Sequence, residues 1–199
     1  MNPSLRIVVA DDEPDMRDYF KKSLPRLGHQ VLAAAQNGCE LVEVCRSTSP
    51  YLVITDIKMP DMDGIEMSIE VNRTKQIPVI LISAHHDAET RTRVAADHIM
   101  GYLIKPVSEP ELKAAIAVAM TRFQHYMALV REAADLRQAL DDRKIIEKAK
   151  GIVMRRLRVE EDEAFRRLRK HASDQNLRLV EVGRRVVAAE EIFHELERH

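Results

Sequence analysis

The sequence predicts an α/β chain in which a parallel β-sheet, covered by helices on both faces, is joined by a long helix to a small all-α unit. Three observations predict it. Strand-like apolar runs begin near Leu5, Gln30, Tyr51, Pro78 and Gly101, with helical patterns between them, so strand and helix alternate five times. Such alternation is the pattern of a parallel sheet whose crossover helices cover both faces. Next, Ser108 is followed three residues later by Glu111, with Pro110 in the first turn, which is a strong helix start. From there to Leu157 only Gly151 has poor helix propensity, so one helix of nearly fifty residues is expected. Finally, two shorter helical segments follow, about Glu160 to Ser173 and Leu179 to Leu196, with Asp174-Gln175-Asn176 as the turn between them.

At 199 residues the chain is long enough for one good core and a smaller module. The first run, Leu5 to Ala10, ends in Asp11-Asp12-Glu13, three acids where a strand hands over to a helix. The helix after the second run carries Cys39 and Cys45, whose spacing fits neither a disulfide framework nor a zinc site, so reduced packing residues are expected. The third run, Tyr51 to Thr55, ends in Asp56, followed by Ile57-Lys58-Met59-Pro60 and then Gly64. The fourth ends in Ser83, with Ala84, His85 and His86 after it, and the fifth ends in Lys105-Pro106. No apolar stretch reaches the length of a membrane span, and Met1-Asn2-Pro3-Ser4 lacks a signal-peptide core, so the expectation is a cytoplasmic protein with no membrane partner. Charge is uneven. Residues 143–199 hold fifteen Lys and Arg against eleven Asp and Glu, a net of +4, and the remainder carries −5. A basic module behind an acidic front suggests nucleic acid as one partner.

Asp56 sits where a buried strand reaches the lip of its sheet, before a loop containing proline and glycine, a place for a nucleophile or a metal ligand. Crowded carboxylates such as Asp11, Asp12 and Asp56 repel one another and tolerate proximity mainly around a divalent cation. A hydroxyl from Ser83 and an ammonium from Lys105, converging on such a cation, make a site for a small tetrahedral anion, most plausibly phosphoryl. The protein's contribution to phosphoryl chemistry is then positioning and charge neutralisation.

The ordered set of acidic pair, strand-end Asp, Met-Pro, Gly, Ser and Lys-Pro resembles the receiver domain of two-component response regulators over residues 4 to about 122. The resemblance implies the flavodoxin-like strand order, with its ligand site at the carboxyl ends of the strands. It implies that Asp56 accepts a phosphoryl group from a histidine kinase. Asp12, Asp56 and the main-chain carbonyl of Lys58 would hold Mg2+, with Asp11 helping through water. Ser83 and Lys105 would bind the phosphoryl oxygens, with Ala84 beside them and a cis peptide before Pro106. Tyr102 is the aromatic that would turn inward when Ser83 engages the phosphoryl group. His85 and His86 read as polar loop residues, with gating of phosphoryl access as the alternative. His98 and Ile99 stand where receivers commonly carry Gly-Ala.

Leu129, Ala133, Leu136 and Leu140 recur at spacings of four, three and four, an apolar seam that ends where Arg143 replaces the next apolar residue. It suits a partner helix in a two-chain coiled coil, and packing on the chain's own C-terminal helices is the alternative. Beyond it, Ile145, Ala149, Ile152 and Val153 share a face, while Lys144, Lys148 and Arg155 line another with Gly151 among them. Gly151 permits close approach of a helix, the favoured reading, or of a phosphate backbone. Ala149-Lys150-Gly151-Ile152-Val153-Met154, Glu163-Ala164-Phe165, Leu168-Arg169, Ala172, Asn176, Leu179, Val182 and Val186-Val187 together resemble the ANTAR module, an RNA-binding output domain of transcription antitermination regulators. Two residues depart from that pattern: Arg158 stands where Gly is common, and Gly183 where Ala is common. The RNA contacts expected are Lys144, Lys148, Lys150, Gly151, Arg155, Arg169, Arg178, Arg184 and Arg185, and Phe165 is expected in the core.

These readings divide the chain into a receiver at 1–122, a helical linker at 123–142 and a three-helix RNA-binding domain at 143–199. The expected function is a phosphorylation-controlled antiterminator that pairs as a homodimer when phosphorylated and binds hairpins in nascent transcripts. It would not be an enzyme beyond accepting and slowly losing its own phosphoryl group. Two other readings compete. A DNA-binding helix-turn-helix output wants a short glycine-containing turn, which Asp174-Gln175-Asn176 does not offer. An aspartyl-phosphate phosphohydrolase wants a second Asp two residues after Asp56, where Lys58 stands.

Overall fold

The computed structural model describes residues 4–73, 75–84 and 98–196. Five strands, β1 (Arg6–Ala10), β2 (Gln30–Ala35), β3 (Leu52–Asp56), β4 (Val79–Ser83) and β5 (Ile99–Ile104), form one parallel sheet in the order β2-β1-β3-β4-β5. The chain reverses its direction of winding between β1 and β3. In sheets of this kind, ligands bind at that switch point, outside the carboxyl ends of the strands. Side chains alternate across the sheet, and the two faces acquire separate cores. Ile7, Val9, Leu52, Ile54, Ile80 and Ile82 pack with Phe20 and Leu24 of helix α1 (Pro14–Arg26) and with Leu112, Ile116 and Ala119 of helix α4 (Glu109–Leu157). Val8, Ala10, Val53, Val79 and Leu81 face Leu41, Val42 and Cys45 of α2 (Gly38–Thr48), and Ile65, Met67 and Val71 of α3 (Gly64–Asn72). Each fully buried Ile or Leu contributes about 1.5–3 kcal/mol, so β1, β3 and β4 are the rigid floor of the site.

β5 starts at Ile99, two residues before the expected Gly101, because Val79 N–H donates to the His98 carbonyl at 3.0 Å and pairing begins there. The helical pattern between the fourth and fifth strands, with His85 and His86, lies outside the described residues. The paired cysteine expectation divides. Cys45 is buried and its thiol is pushed up to about 12 by that burial, but Cys39 is exposed. At about 3.6 residues per turn, a spacing of six puts the two on different faces of α2.

The N-terminus of α4 is capped as expected. Ser108 N–H and Oγ both reach Glu111 Oε2, at 2.9 and 2.6 Å. The helix runs unbroken to Leu157. The chain divides into units at 1–127 and 128–199. In the second unit, Leu129, Ala133, Leu136 and Leu140 are all exposed, so packing of this seam on the chain's own helices is not what occurs. No helix among the described residues is long and apolar enough to cross a membrane.

The small core of the second unit joins Ala149 of α4 to Leu168 and Ala172 of α5 (Glu161–Asp174) and Val182 of α6 (Leu179–Leu196). Two expectations are corrected here. Phe165 is 39% exposed rather than core. The buried positions of α5 are Ala164, Leu168 and Ala172, four apart, which leaves Phe165 at the edge of the stripe. Close helix packing falls on Gly183, not on Gly151. A Cβ at Gly183 would meet Ile145 Cγ2 at 3.2 Å, whereas one at Gly151 would meet only the Arg155 side chain, at 3.7 Å.

Among the described residues, three helices end in the same hydrogen-bonded reversal, in which a left-handed residue is followed by an N–H that bonds back to a carbonyl five residues earlier. The left-handed residues are Gly28, Arg158 and Asn176, and the back-bonds run His29→Leu24, Val159→Met154 and Leu177→Ala172. Gly takes this conformation freely and Asn tolerates it, whereas Arg158, at φ 50°, has a Cβ that opposes it. Arg158→Gly should therefore stabilise the protein by about 1 kcal/mol. A urea midpoint that is unchanged or lower would refute this account of the turn.

Candidate functional site

Asp56 is the last residue of β3, Asp11 follows β1, Ser83 ends β4 and Lys105 follows β5. Four strands thus deliver their functional groups to one edge of the sheet. Main-chain bonds fix them there: Asp11 N–H donates to the Ala35 carbonyl at 3.2 Å, Ile57 to Ile82 at 3.0 Å and Lys105 to Ser83 at 2.8 Å. The loop after β3 folds back tightly, with Gly64 N–H donating to the Ile57 carbonyl at 2.9 Å. A Cβ at Gly64 would lie 2.2 Å from the Asp56 carbonyl oxygen, so only glycine lets the loop close on the strand end.

Lys105 is the hub. Its Nζ lies 2.6 Å from Asp56 Oδ2, 2.7 Å from Glu13 Oε1 and 3.0 Å from Asp11 Oδ2. Burial works against the ammonium, yet its hydrogen bonds to Asp56, Glu13 and Asp11 outweigh that cost and hold it above the ordinary lysine value. Asp11 is fully buried, and that burial raises its carboxyl above the usual range despite the Glu13 N–H and Lys105. Asp11 therefore costs the fold nothing below the ordinary aspartate value, where it is protonated folded or unfolded, and begins to cost stability as pH rises past that value, in full above the raised one. The Glu13 N–H and Lys105 both bond to Asp11 Oδ1. Oδ2, though near Lys105, has no directed hydrogen bond and is buried.

Asp11, Asp12, Glu13 and Asp56 each offer an oxygen, and these oxygens lie within 4.8 Å of one another. Four carboxylates gathered around the Lys105 ammonium, with a buried undirected oxygen among them, are a donor set suited to a hard cation. Beside it a cleft of about 180 Å³ is lined by Asp12, Glu13, Asp56, Lys58, Ser83 and Ala84. Lys58 N–H donates to Asp56 Oδ1 at 3.1 Å. The Lys105–Pro106 peptide is cis, and Tyr102 packs half-buried against the α2–α3 core. His98 Nε2 lies 2.9 Å from Ser68 Oγ.

Sequence reasoning counted Glu13 among the acids without giving it a role, although it is a direct partner of Lys105. It also passed over Arg17, which donates to the Asp11 and Asp12 carbonyls at 2.7 and 2.9 Å and braces the acidic loop. A helix residue one turn beyond an acid pair carries no motif that would have marked it.

The expected RNA contacts divide by their ion pairs. Lys144 pairs with Asp141, Lys148 with Glu191, and Lys150 with Glu147 and Glu161. Arg178 and Arg184 both pair with Asp142. Arg155, Arg169 and Arg185 are exposed. Gly151 is half-exposed beside Arg155.

A doubly wound parallel sheet that gathers an acid cluster, a strand-end Asp, a hydroxyl and a lysine at one edge defines the receiver class of signalling proteins, here with a helical output unit. Comparison with known proteins gives the same class. The model of the response regulator receiver domain matches residues 7–117, and that of the ANTAR domain matches residues 134–187. The transcriptional regulatory protein PdtaR of Mycobacterium tuberculosis is 32% identical over 178 residues, spanning 89% of this chain and 87% of that protein. A response regulator receiver domain protein from Clostridium thermocellum is 30% identical with a TM-score of 0.55, over 60% of this chain and 96% of that one. The receiver domain of a modulated diguanylate cyclase from Desulfovibrio desulfuricans is 26% identical with a TM-score of 0.57, over 61% and 98%. The chain belongs to the response regulators that carry an N-terminal receiver domain and a C-terminal ANTAR domain. It is a regulator rather than a classical enzyme.

Proposed function

We propose that the chain is a phosphorylation-controlled, RNA-binding transcription antiterminator, in which residues 1–122 receive the signal, 123–142 link and 143–199 bind RNA. Asp56 takes the phosphoryl group of a histidine kinase: a bond forms between an Asp56 carboxylate oxygen and phosphorus as the phosphorus–nitrogen bond of the phosphohistidine breaks, and the imidazole keeps the electron pair. Asp11, Asp12, Asp56 and the Lys58 carbonyl are the residues to hold Mg2+. Bound there, the ion would neutralise the charge that gathers on the phosphoryl oxygens. Lys105 is already charged, desolvated and 2.6 Å from Asp56, so it is preorganised to pair with the phosphoryl group. That contact is the observation on which the reading chiefly stands.

Pairing with phosphoryl oxygens requires Lys105 to loosen its hold on Glu13 and Asp11, and Ser83 and Tyr102 to adjust with it. This is a local charge change able to bias an otherwise balanced face of the domain. The exposed seam at Leu129, Ala133, Leu136 and Leu140 supports a homodimer, because an apolar stripe on an exposed helix is covered most simply by its copy. Two paired chains bring two basic modules to one transcript. Hairpins are read there through phosphates, shape and unstacked loop bases, which makes affinity strongly salt-dependent.

The test is sequencing of transcripts that co-purify with the full chain, with and without beryllofluoride and magnesium. A small set of hairpin-bearing leader transcripts, with an occupancy that beryllofluoride changes, is expected. Preference for duplex DNA in a parallel gel shift would overturn the output assignment.

A further inference from the structure

Arg178 and Arg184 converge on a single carboxylate contributed by a distant part of the chain. Arg178, just ahead of α6, places a guanidinium nitrogen 2.9 Å from Asp142 Oδ2, and Arg184, within α6, places one 3.1 Å from Asp142 Oδ1. Gln138, one turn earlier on α4, donates its amide to Asp142 Oδ1 at 2.7 Å. The carboxylate is thus held at both oxygens by three side chains. Its side chain is only 17% exposed, whereas those of Arg178 and Arg184 are 68% and 55% exposed. The anion sits in the site while its cationic walls remain open to solvent.

Two guanidiniums and an amide directed at one anion form a cradle for an oxyanion, with the Glu181 carboxylate accepting the Arg178 main-chain N–H at 2.8 Å nearby. Guanidinium forks match phosphate oxygens as well as carboxylate oxygens. We propose that Arg178 and Arg184 of the C-terminal module, with Gln138 at the end of the linker helix, form a phosphodiester-binding cradle, which Asp142 of the same helix occupies as an internal substitute for a phosphate of the RNA backbone. This rests on the RNA-binding reading of the module and adds to it a specific site and a specific brake. An RNA phosphate entering the cradle displaces the carboxylate or shares the arginines with it. In either case the carboxylate lowers affinity, because it neutralises charge that a phosphate would otherwise use. The plain alternative is a staple, in which Asp142 serves only to fasten the start of α6 to α4.

The experiment compares the full-length protein with Asp142→Asn, with Asp135→Asn as a control that removes the same charge two turns earlier on the same helix, and with Asp142→Asn combined with Arg178→Ala and Arg184→Ala. Binding is read by fluorescence anisotropy with a hairpin RNA across a salt series, and by elution from heparin. Asp142→Asn is expected to bind RNA about five- to tenfold more tightly, with a log affinity against log salt slope steeper by about one, since each added phosphate contact releases about one counterion. It should also leave heparin at higher salt than Asp135→Asn, and the triple variant should lose both gains. Equal behaviour of Asp142→Asn and Asp135→Asn overturns the cradle. A lower thermal midpoint with weaker binding in Asp142→Asn overturns it too and establishes the staple. Heparin keeps this result separate from the RNA reading. If no variant binds RNA but Asp142→Asn alone gains heparin affinity through its arginines, the cradle stands and the RNA reading falls.

Discussion

Asp56→Asn leaves the protein unlabelled by radioactive acetyl phosphate under conditions where the parent chain labels in the presence of magnesium. The loss is expected to be complete within detection, at least a hundredfold, because the amide is not a nucleophile and forms no stable acyl phosphate. The fold should survive the change. Asn has nearly the same volume, its oxygen can still accept the Lys58 N–H that bonds at 3.1 Å, and Lys105 keeps Asp11 and Glu13 as partners when its pair with Asp56 is lost. A cooperative thermal unfolding transition together with lost labelling identifies Asp56 as the acceptor. Labelling that persists and still needs magnesium would place the acceptor elsewhere and remove the basis of the switch.

Gly64→Ala is the second large effect. The added methyl would stand 2.2 Å from the Asp56 carbonyl oxygen and 3.2 Å from Ile57 Cα, and both are backbone atoms that cannot rotate away. The loop must open or the strand end must move, and overpacking of this kind costs up to about 3 kcal/mol. The shift falls on Asp56 itself, so labelling by acetyl phosphate should drop along with stability. A variant with normal labelling and a normal urea midpoint would mean that the loop does not close on the strand as described. Gly28→Ala offers a contrast, since nothing lies within 4 Å of its added Cβ and its cost arises only from a left-handed φ of 87°.

Much of the receiver could be read from the chain because the information is local. A parallel strand buried on both faces is a continuous apolar run, and its carboxyl end is marked by the first polar residue after the run. Asp11, Ser83 and Lys105 announce themselves in that way, and Asp56 does so one residue after the buried Thr55. The capping pair Ser108 and Glu111 fixed the start of α4 for a similar reason, since both partners lie within one turn. Phe165 and Gly151 were misjudged because helical spacing alone sets no boundary to the buried stripe. A residue one position off its centre is covered or bare according to what the neighbouring helix presents.

The sequence by itself determined the kind of sheet, the chemistry gathered at its edge and the extent of the long helix, because each depends on runs and spacings within a few residues. Only the tertiary structure decided which partners the charges take. Lys105 reaches back 92 residues to Glu13, and Asp142 draws Arg178 and Arg184 from 36 and 42 residues away. Electrostatic pairing acts through space at a few ångströms, and no pattern along the chain records which acid a folded arginine will meet.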